Sequence, residues 1–420
     1  MKYSKLQSFF KTLGPGILFA STAIGVSHLV QSTKAGAEYG FALVGFILAA
    51  NLFKWPFFEF GSRYATATGK SLIDGYNDLS PWFLRLYLLV TIPSMVFVSA
   101  AVTFVAAGFL QNLIGVQVSS EYYFLPSLLM FLLCVIVLAL GRFSILDSSI
   151  KIIGTVMLLS TLGAFFISLW KGPSHSMDYL PFKESVSLKS LPFIIALMGW
   201  MPTAIDLSSW NSLWTIERIK QSGYKPSVKE TVFEFNVGYW ISAALSICFV
   251  TLGAYLIYGS GKVMPDKSAA FASEVVNLYV LSLGKWTLPI IATAGFSIML
   301  GTCFGVLDGF SRAMTRIFSL LRNKNETKQN YLFWLIVTAL GGFSVIFFFI
   351  SEFNQLIQVA TTISFLVAPV IAILNYILIF GKDVAIKDQP GKMMKMLAIA
   401  GIVFLFTFSV VFILNAFGLL

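Results

Sequence analysis

Charge is scarce in this sequence. Asp, Glu, Lys and Arg make up 11% of its 420 residues, and histidine occurs only twice. A soluble globular domain carries about twice that share of charge, so that class is excluded. Cysteine is equally sparse: Cys134, Cys248 and Cys303 fall in apolar runs with no CxxC or Cys/His spacing, and read as buried small apolar side chains. No GxxxxGK[ST] phosphate loop occurs, which argues against a built-in ATPase. There is no nucleophile elbow, metal spacing or paired-acid motif to suggest an enzyme. The longest polar stretches, Lys171–Ser190, Glu217–Glu230, Gly259–Gly284 and Leu321–Asn330, are too short for a separate soluble domain. No cleavable signal peptide is evident, because the basic start leads into an apolar run that outlasts one and shows no clear small-residue cleavage site.

Hydrophobic residues fill the space that charge leaves. They are 57% of the chain, with a mean hydropathy of +0.83, the composition of a polytopic membrane protein surrounded by lipid. A spanning helix needs about 20 mostly apolar residues. Eleven runs qualify: Leu13–Ala35, Phe41–Phe60, Leu86–Ile114, Tyr123–Leu140, Ile152–Trp170, Leu191–Thr215, Val232–Tyr258, Trp286–Phe310, Tyr331–Ile350, Leu356–Phe380 and Leu397–Phe417. Ser268–Leu283 has apolar residues at helical spacing and reads as a short interfacial helix on the outer side.

The net charge of +10 sets orientation here and does not indicate nucleic acid. With Lys2, Lys5 and Lys11 cytoplasmic, the inside segments hold 21 of the 29 basic residues, grouped around Arg63–Arg85, Arg142–Lys151, Arg218–Lys229, Arg312–Lys328 and Lys382–Lys395. Eleven spans then put the C-terminus outside, and a bacterial inner membrane is the expected location.

Two runs are interrupted where a continuous helix would choose other residues. The first reads Ile24-Gly25-Val26-Ser27-His28 at its centre, and the sixth Met198-Gly199-Trp200-Met201-Pro202-Thr203. A break inside the membrane frees backbone N–H and C=O groups, which is tolerable only where protein or a ligand satisfies them. One break in each half of the chain is the mark of a transporter's substrate site. The order of spans predicts a single all-α transporter domain of the leucine-transporter type. It has two inverted five-helix repeats, about 13–170 and 191–380, and an added helix near 397–417. Breaks one and six would face each other near the midplane.

The run Gly14-Pro15-Gly16 through Ala35-Gly36-Ala37-Glu38-Tyr39-Gly40-Phe41, then Ala49-Ala50-Asn51-Leu52, resembles the first two helices of the natural resistance-associated macrophage protein (Nramp) family of divalent-metal transporters. Ala294-Gly295-Phe296-Ser297 and Gly301-Thr302, ahead of Asp308-Gly309-Phe310, resemble its eighth helix, and Met201-Pro202 keeps the start of its Met-Pro-His motif. The resemblance implies alternating-access transport of a divalent metal such as Mn²⁺ or Mg²⁺, coupled to a proton or sodium, with no resident cofactor. Membrane lipid and the transported ion or solute are then the only partners.

The departures are as informative. The family's metal-binding Asp-Pro-Gly-Asn falls on Gly25-Val26-Ser27-His28, so the carboxylate is missing. The His of Met-Pro-His falls on Thr203, and the acids of the third helix have no counterpart in Ser99-Ala100-Ala101-Val102-Thr103. A divalent cation leaves water poorly for neutral ligands alone. The replacement ligands expected are Met201, Asp206 and His28, with carbonyls near Gly25 and Met198, hydroxyls of Ser27 and Thr203, and Thr361 with Thr362 completing the pocket.

Each has a duller reading. Ser21, Thr22, Ser27 and Thr203 suit local capping of free backbone groups, Met201 suits packing, and His28 a hydrogen-bonded structural role. Asp206 in a span points to a site or to an ion pair, with Lys54 or Glu59 as partner. Glu59 with Arg63 and Asp308 with Arg312 read as i,i+4 pairs. A sharper reading of Lys54 puts its ammonium where a coupling ion would bind. Trp200, Trp210 and Trp214 either gate the site or anchor the helix at the interface. Loss of the first-break Asp also opens room for a small organic solute such as an amino acid or carboxylate, since half-helix N-termini suit a carboxylate. A non-transporting sensor would need little polar chemistry at the breaks.

Overall fold

The structure is a computed structural model that describes residues 14–116, 118, 122, 124–141, 143–175, 186–262, 264–265, 267–349 and 352–419. The expected span ends Leu13, Tyr123 and Ile350, and the basic residues Lys2, Lys5, Lys11 and Arg142, lie outside them. Among the described residues the chain is helical and without strands. A helix closes its backbone hydrogen bonds within one segment, as an apolar surrounding requires.

The first span is two helices, α1 (Pro15–Ala23) and α2 (Thr33–Tyr39), joined by a π-helical turn over Ser27–Ser32. Then follow α3 (Val44–Thr68), the short α4 (Leu72–Leu79), α5 (Pro81–Ile114), α6 (Phe124–Ala139) and α7 (Phe143–Lys171). The sixth span is also two helices, α8 (Leu191–Gly199) and α9 (Leu207–Ser222). The remainder is α10 (Val228–Leu256), α11 (Ser268–Leu283), α12 (Leu288–Leu321), α13 (Lys328–Phe348), α14 (Phe353–Ile379) and α15 (Lys392–Ala416). Among the described residues, six helices are long and apolar enough to cross a membrane uninterrupted: α5, α10, α12, α13, α14 and α15. The breaks shorten the two split spans. α3, although 25 residues long, carries Lys54, Glu59 and Arg63 through its middle.

Glycine lets the first span press against α10. A Cβ on Gly36 would meet the Val250 carbonyl oxygen, and one on Gly253 the Thr33 carbonyl oxygen. The same exchange recurs at the other end, where Gly16 lies against the backbone of Glu234 and Gly238 against the Gly16 carbonyl. Small residues at such crossings let backbones approach and pack without side chains between them. The start of α1 is closed by the same partner: Glu234 Oε1 accepts from the amides of Gly14 and Gly16, each at 2.9 Å. A carboxylate at a helix N-terminus both fills orphan donors and meets the positive end of the helix dipole.

α11 spans Ser268–Leu283 as expected, and one face of it is buried against the bundle. Phe271, Val275, Val276, Leu278 and Tyr279 are buried, and α11 packs into the bundle beside α5 and α7, where a Cβ on Gly108 would strike the Ser268 carbonyl. α4 was not anticipated. It is started by a capping box in which Ser71 and Asp74 exchange side-chain bonds with each other's amides. Asp74 also pairs with Arg316, which reaches Glu326 at 3.0 Å. These charges line a cavity of about 350 Å³ together with Glu217, Lys220 and Arg312, so three of the segments read as inside loops meet at one end of the bundle.

Candidate functional site

Helix α8 stops at Gly199 because Met201-Pro202 follows, and proline supplies no N–H to continue the ladder. The carbonyls of Gly199 and Thr203 are left without helical partners, and that of Met198 keeps only a turn bond from the Met201 amide at 3.3 Å. Lys54, from the middle of α3, fills all three: its Nζ donates to Met198 O at 3.1 Å, Gly199 O at 2.9 Å and Thr203 O at 2.8 Å. Carbonyls only accept, so three such bonds require three N–H donors, the full complement of an ammonium. The side chain is completely buried, with the Phe58 ring 5.9 Å from the charge.

Asp206 opens α9 just beyond the break and is likewise fully buried. It interacts electrostatically with Lys54 without ion-pair contact, and the Ser94 hydroxyl of α5 lies beside it. Tyr87 and Thr91 of the same helix face each other nearby, so α5 presents a row of hydroxyls to the buried carboxylate.

The first break answers the second. α1 ends at Ala23, and the chain re-enters helix through the π turn, a form that often marks functional sites. The Ser27 hydroxyl lies 2.6 Å from both the Ala23 carbonyl oxygen and His28 Nδ1; its one proton serves one of them at a time. His28 Nε2 donates to the Ser242 carbonyl of α10 at 2.8 Å. At Gly25, where the family's carboxylate would stand, the Thr302 side chain of α12 fills the space: a Cβ there would come 2.5 Å from its Oγ1 and 2.7 Å from its Cγ2.

Between the breaks lies a cavity of about 20 Å³, room for about one water. Thr22, Ser27, Thr203 and Thr302 give it hydroxyls, and Val26, Val98, Val102, Ala204 and Val306 make it apolar, with Trp200 on the sixth-span side. Of the expected site residues, only Ser27 and Thr203 line it. Gly25 is behind Thr302, and Met198 contributes its carbonyl to Lys54. Met201 is buried outside the lining, and Thr361 bonds its own helix through the Ile357 carbonyl, 2.7 Å away. His28 is turned to α10, with its Nε2 on the Ser242 carbonyl. Among the described residues no three His, Cys, Asp or Glu side chains are grouped to hold a metal.

Of the three tryptophans, only Trp200 reaches the cavity, and its Nε1 donates to Ser364 at 2.8 Å. Trp214 donates to Asp308, and Trp210 packs on Phe310 with ring centroids 4.5 Å apart. Asp308 is structural: it holds Arg312 at 2.7 Å and accepts from Tyr331. Glu59 and Arg63 form the expected pair at 2.6 Å. Sequence reasoning missed the α5 hydroxyls around Asp206 and the intrusion of Thr302. A Ser and a Thr within an apolar run carry no signal of which span they face.

The family model "Natural resistance-associated macrophage protein-like" matches residues 16–415. An uncharacterized protein of Pasteurella multocida is 34% identical over 421 residues, covering 99% of this chain and 94% of the relative. The divalent metal cation transporter MntH of Levilactobacillus brevis is 21% identical over 379 residues, 80% of this chain and 79% of that one. A crystal structure of the manganese transporter of Eremococcus coleocola superposes with a TM-score of 0.76 at 14% identity, over 100% of this chain and 90% of that one. The fold is therefore that of the leucine-transporter type, split at its first and sixth spans. The chain is a multi-pass membrane protein and belongs to the Nramp family of transporters, as a member whose first break carries glycine.

Proposed function

We propose that this chain moves a divalent metal cation across the membrane by alternating access through the gap between its two broken spans. The observation that carries the reading is the oxygen-rich sixth break: three backbone carbonyls gathered around a positive charge, with the buried carboxylate of Asp206 close by. Oxygen ligands of this kind suit Mn²⁺ or Mg²⁺, and the relatives named as metal transporters support that class of cargo. Entry of the metal would displace the Lys54 ammonium from the carbonyls, with Asp206 supplying the negative charge that the first break lacks. The basic-residue distribution supports a cytoplasmic N-terminus and an external C-terminus.

A second reading follows from the cavity wall, which bears hydroxyls, valines and an indole but no carboxylate. Such a wall suits a small organic solute, an amino acid or carboxylate, better than a bare cation.

The test is Mn²⁺ uptake into liposomes carrying the purified protein, with Mg²⁺ as competitor. Saturable uptake that is abolished in Asp206→Ala is the expected result. Uptake no greater than in empty liposomes refutes the metal reading, and counterflow of amino acids and carboxylates then tests the second.

A further inference from the structure

We propose that the sixth break is a monovalent-cation site whose resident ion is the tethered ammonium of Lys54, so that this chain needs no free alkali cation there. Two independent observations meet at this point. The ammonium has every donor in a carbonyl cage made by one unwound segment, the ligand set with which unwound transporter backbone holds sodium. Asp206, fully buried just beyond the cage and beside Ser94, supplies the counter-charge without ion-pair contact to the lysine. An ordinary buried ion pair would bring the two side chains together. Here the cation stays with the backbone oxygens and the anion stands off, the arrangement of a bound ion and a nearby carboxylate. The inference rests on the geometry of the break; under the metal reading the ammonium is the ion that holds the carbonyls until the metal displaces it, and with an organic solute it stays throughout.

Removing the tether should leave a vacancy that small cations fill. Lys54→Ala and the similarly long, uncharged Lys54→Met are compared with the full-length parent by thermal unfolding in detergent. Na⁺, K⁺ and methylammonium are titrated against N-methyl-D-glucamine at constant ionic strength. The parent is expected to be indifferent to the cation. Lys54→Ala is expected to melt lower in N-methyl-D-glucamine and to recover in methylammonium or Na⁺. Adding Asp206→Asn should raise the midpoint of that recovery about tenfold or more, the scale of one charge-assisted interaction. If Lys54→Ala is recovered from the membrane only when methylammonium is present, the proposal is likewise supported. A Lys54→Met protein as stable as the parent and flat in every cation overturns it, as does a Lys54→Ala protein that folds and responds to none. Mn²⁺ uptake does not enter this readout, so its failure and the failure of the metal reading remain distinct.

Discussion

The fit of Thr302 against Gly25 gives the most searching prediction. A methyl at position 25 would come 2.5 Å from Thr302 Oγ1, 2.7 Å from Cγ2 and 3.0 Å from Cβ. Gly25→Ala therefore overpacks the contact between the first span and α12, at a cost of about 1–3 kcal/mol. Thr302→Ala removes the two nearer atoms and leaves the third at 3.0 Å, still a tight contact, so the relief is partial. It also gives up the hydroxyl's bonds to the Ser21 and Ile298 carbonyls, 3.3 and 3.1 Å away, about 0.5–1.5 kcal/mol. The double variant should lose less than the two single costs added, a coupling of about 1–2 kcal/mol, read by thermal unfolding of the purified protein in detergent. With room made, Gly25→Asp/Thr302→Ala restores the family's carboxylate, and Mn²⁺ at a hundred times its Kd should then stabilise the protein by about 2.7 kcal/mol. Additive costs, or a Gly25→Ala protein as stable as the parent with Thr302 intact, would refute the reasoning.

Two further outcomes follow from the contacts with α10. Glu234→Gln should destabilise by about 1–2 kcal/mol, because the charge-assisted bonds that close the start of α1 become neutral ones; an unchanged melting temperature would mean that the cap contributes nothing. Gly36→Ala drives a methyl into the Val250 carbonyl and should cost at least about 1–3 kcal/mol, more than alanine at Gly45, which meets nothing within 4 Å. Equal stability of the two would refute the close crossing.

Both breaks were legible because they are written in local chemistry. Gly25 interrupts an apolar run, and Gly199 with Pro202 does the same in the sixth span. The pairs at i,i+4, Glu59 with Arg63 and Asp308 with Arg312, were legible for the same reason. The site's interior was not, because its contacts join distant segments. Lys54 meets carbonyls 144 to 149 residues away, and His28 meets one 214 residues away. Apolar periodicity tells which residues can face lipid, but not which span faces which. The burial of α11 illustrates the limit: its helical spacing was plain, while its place between α5 and α7 depends on partners that the local pattern does not name. For the ligand residues, proximity along the chain says little about partners: His28 sits one turn from Gly25, yet its Nε2 bonds to the Ser242 carbonyl of α10.

The glycine crossings on α10 also govern how the molecule can rock. Both leaves of the first span, Gly16 on one side of its hinge and Gly36 on the other, meet the backbone of a single helix. Toward α12 the close approaches at Gly25 and Gly305 are made by the side chains of Thr302 and Thr22. A hinge with both leaves splinted to one rod does not swing freely, so the first span and α10 travel as one piece, and sliding falls on the α12 face where rotamers can yield. In this transporter the fissured span is the stiffened partner, and the plane of slip lies along a seam of threonines.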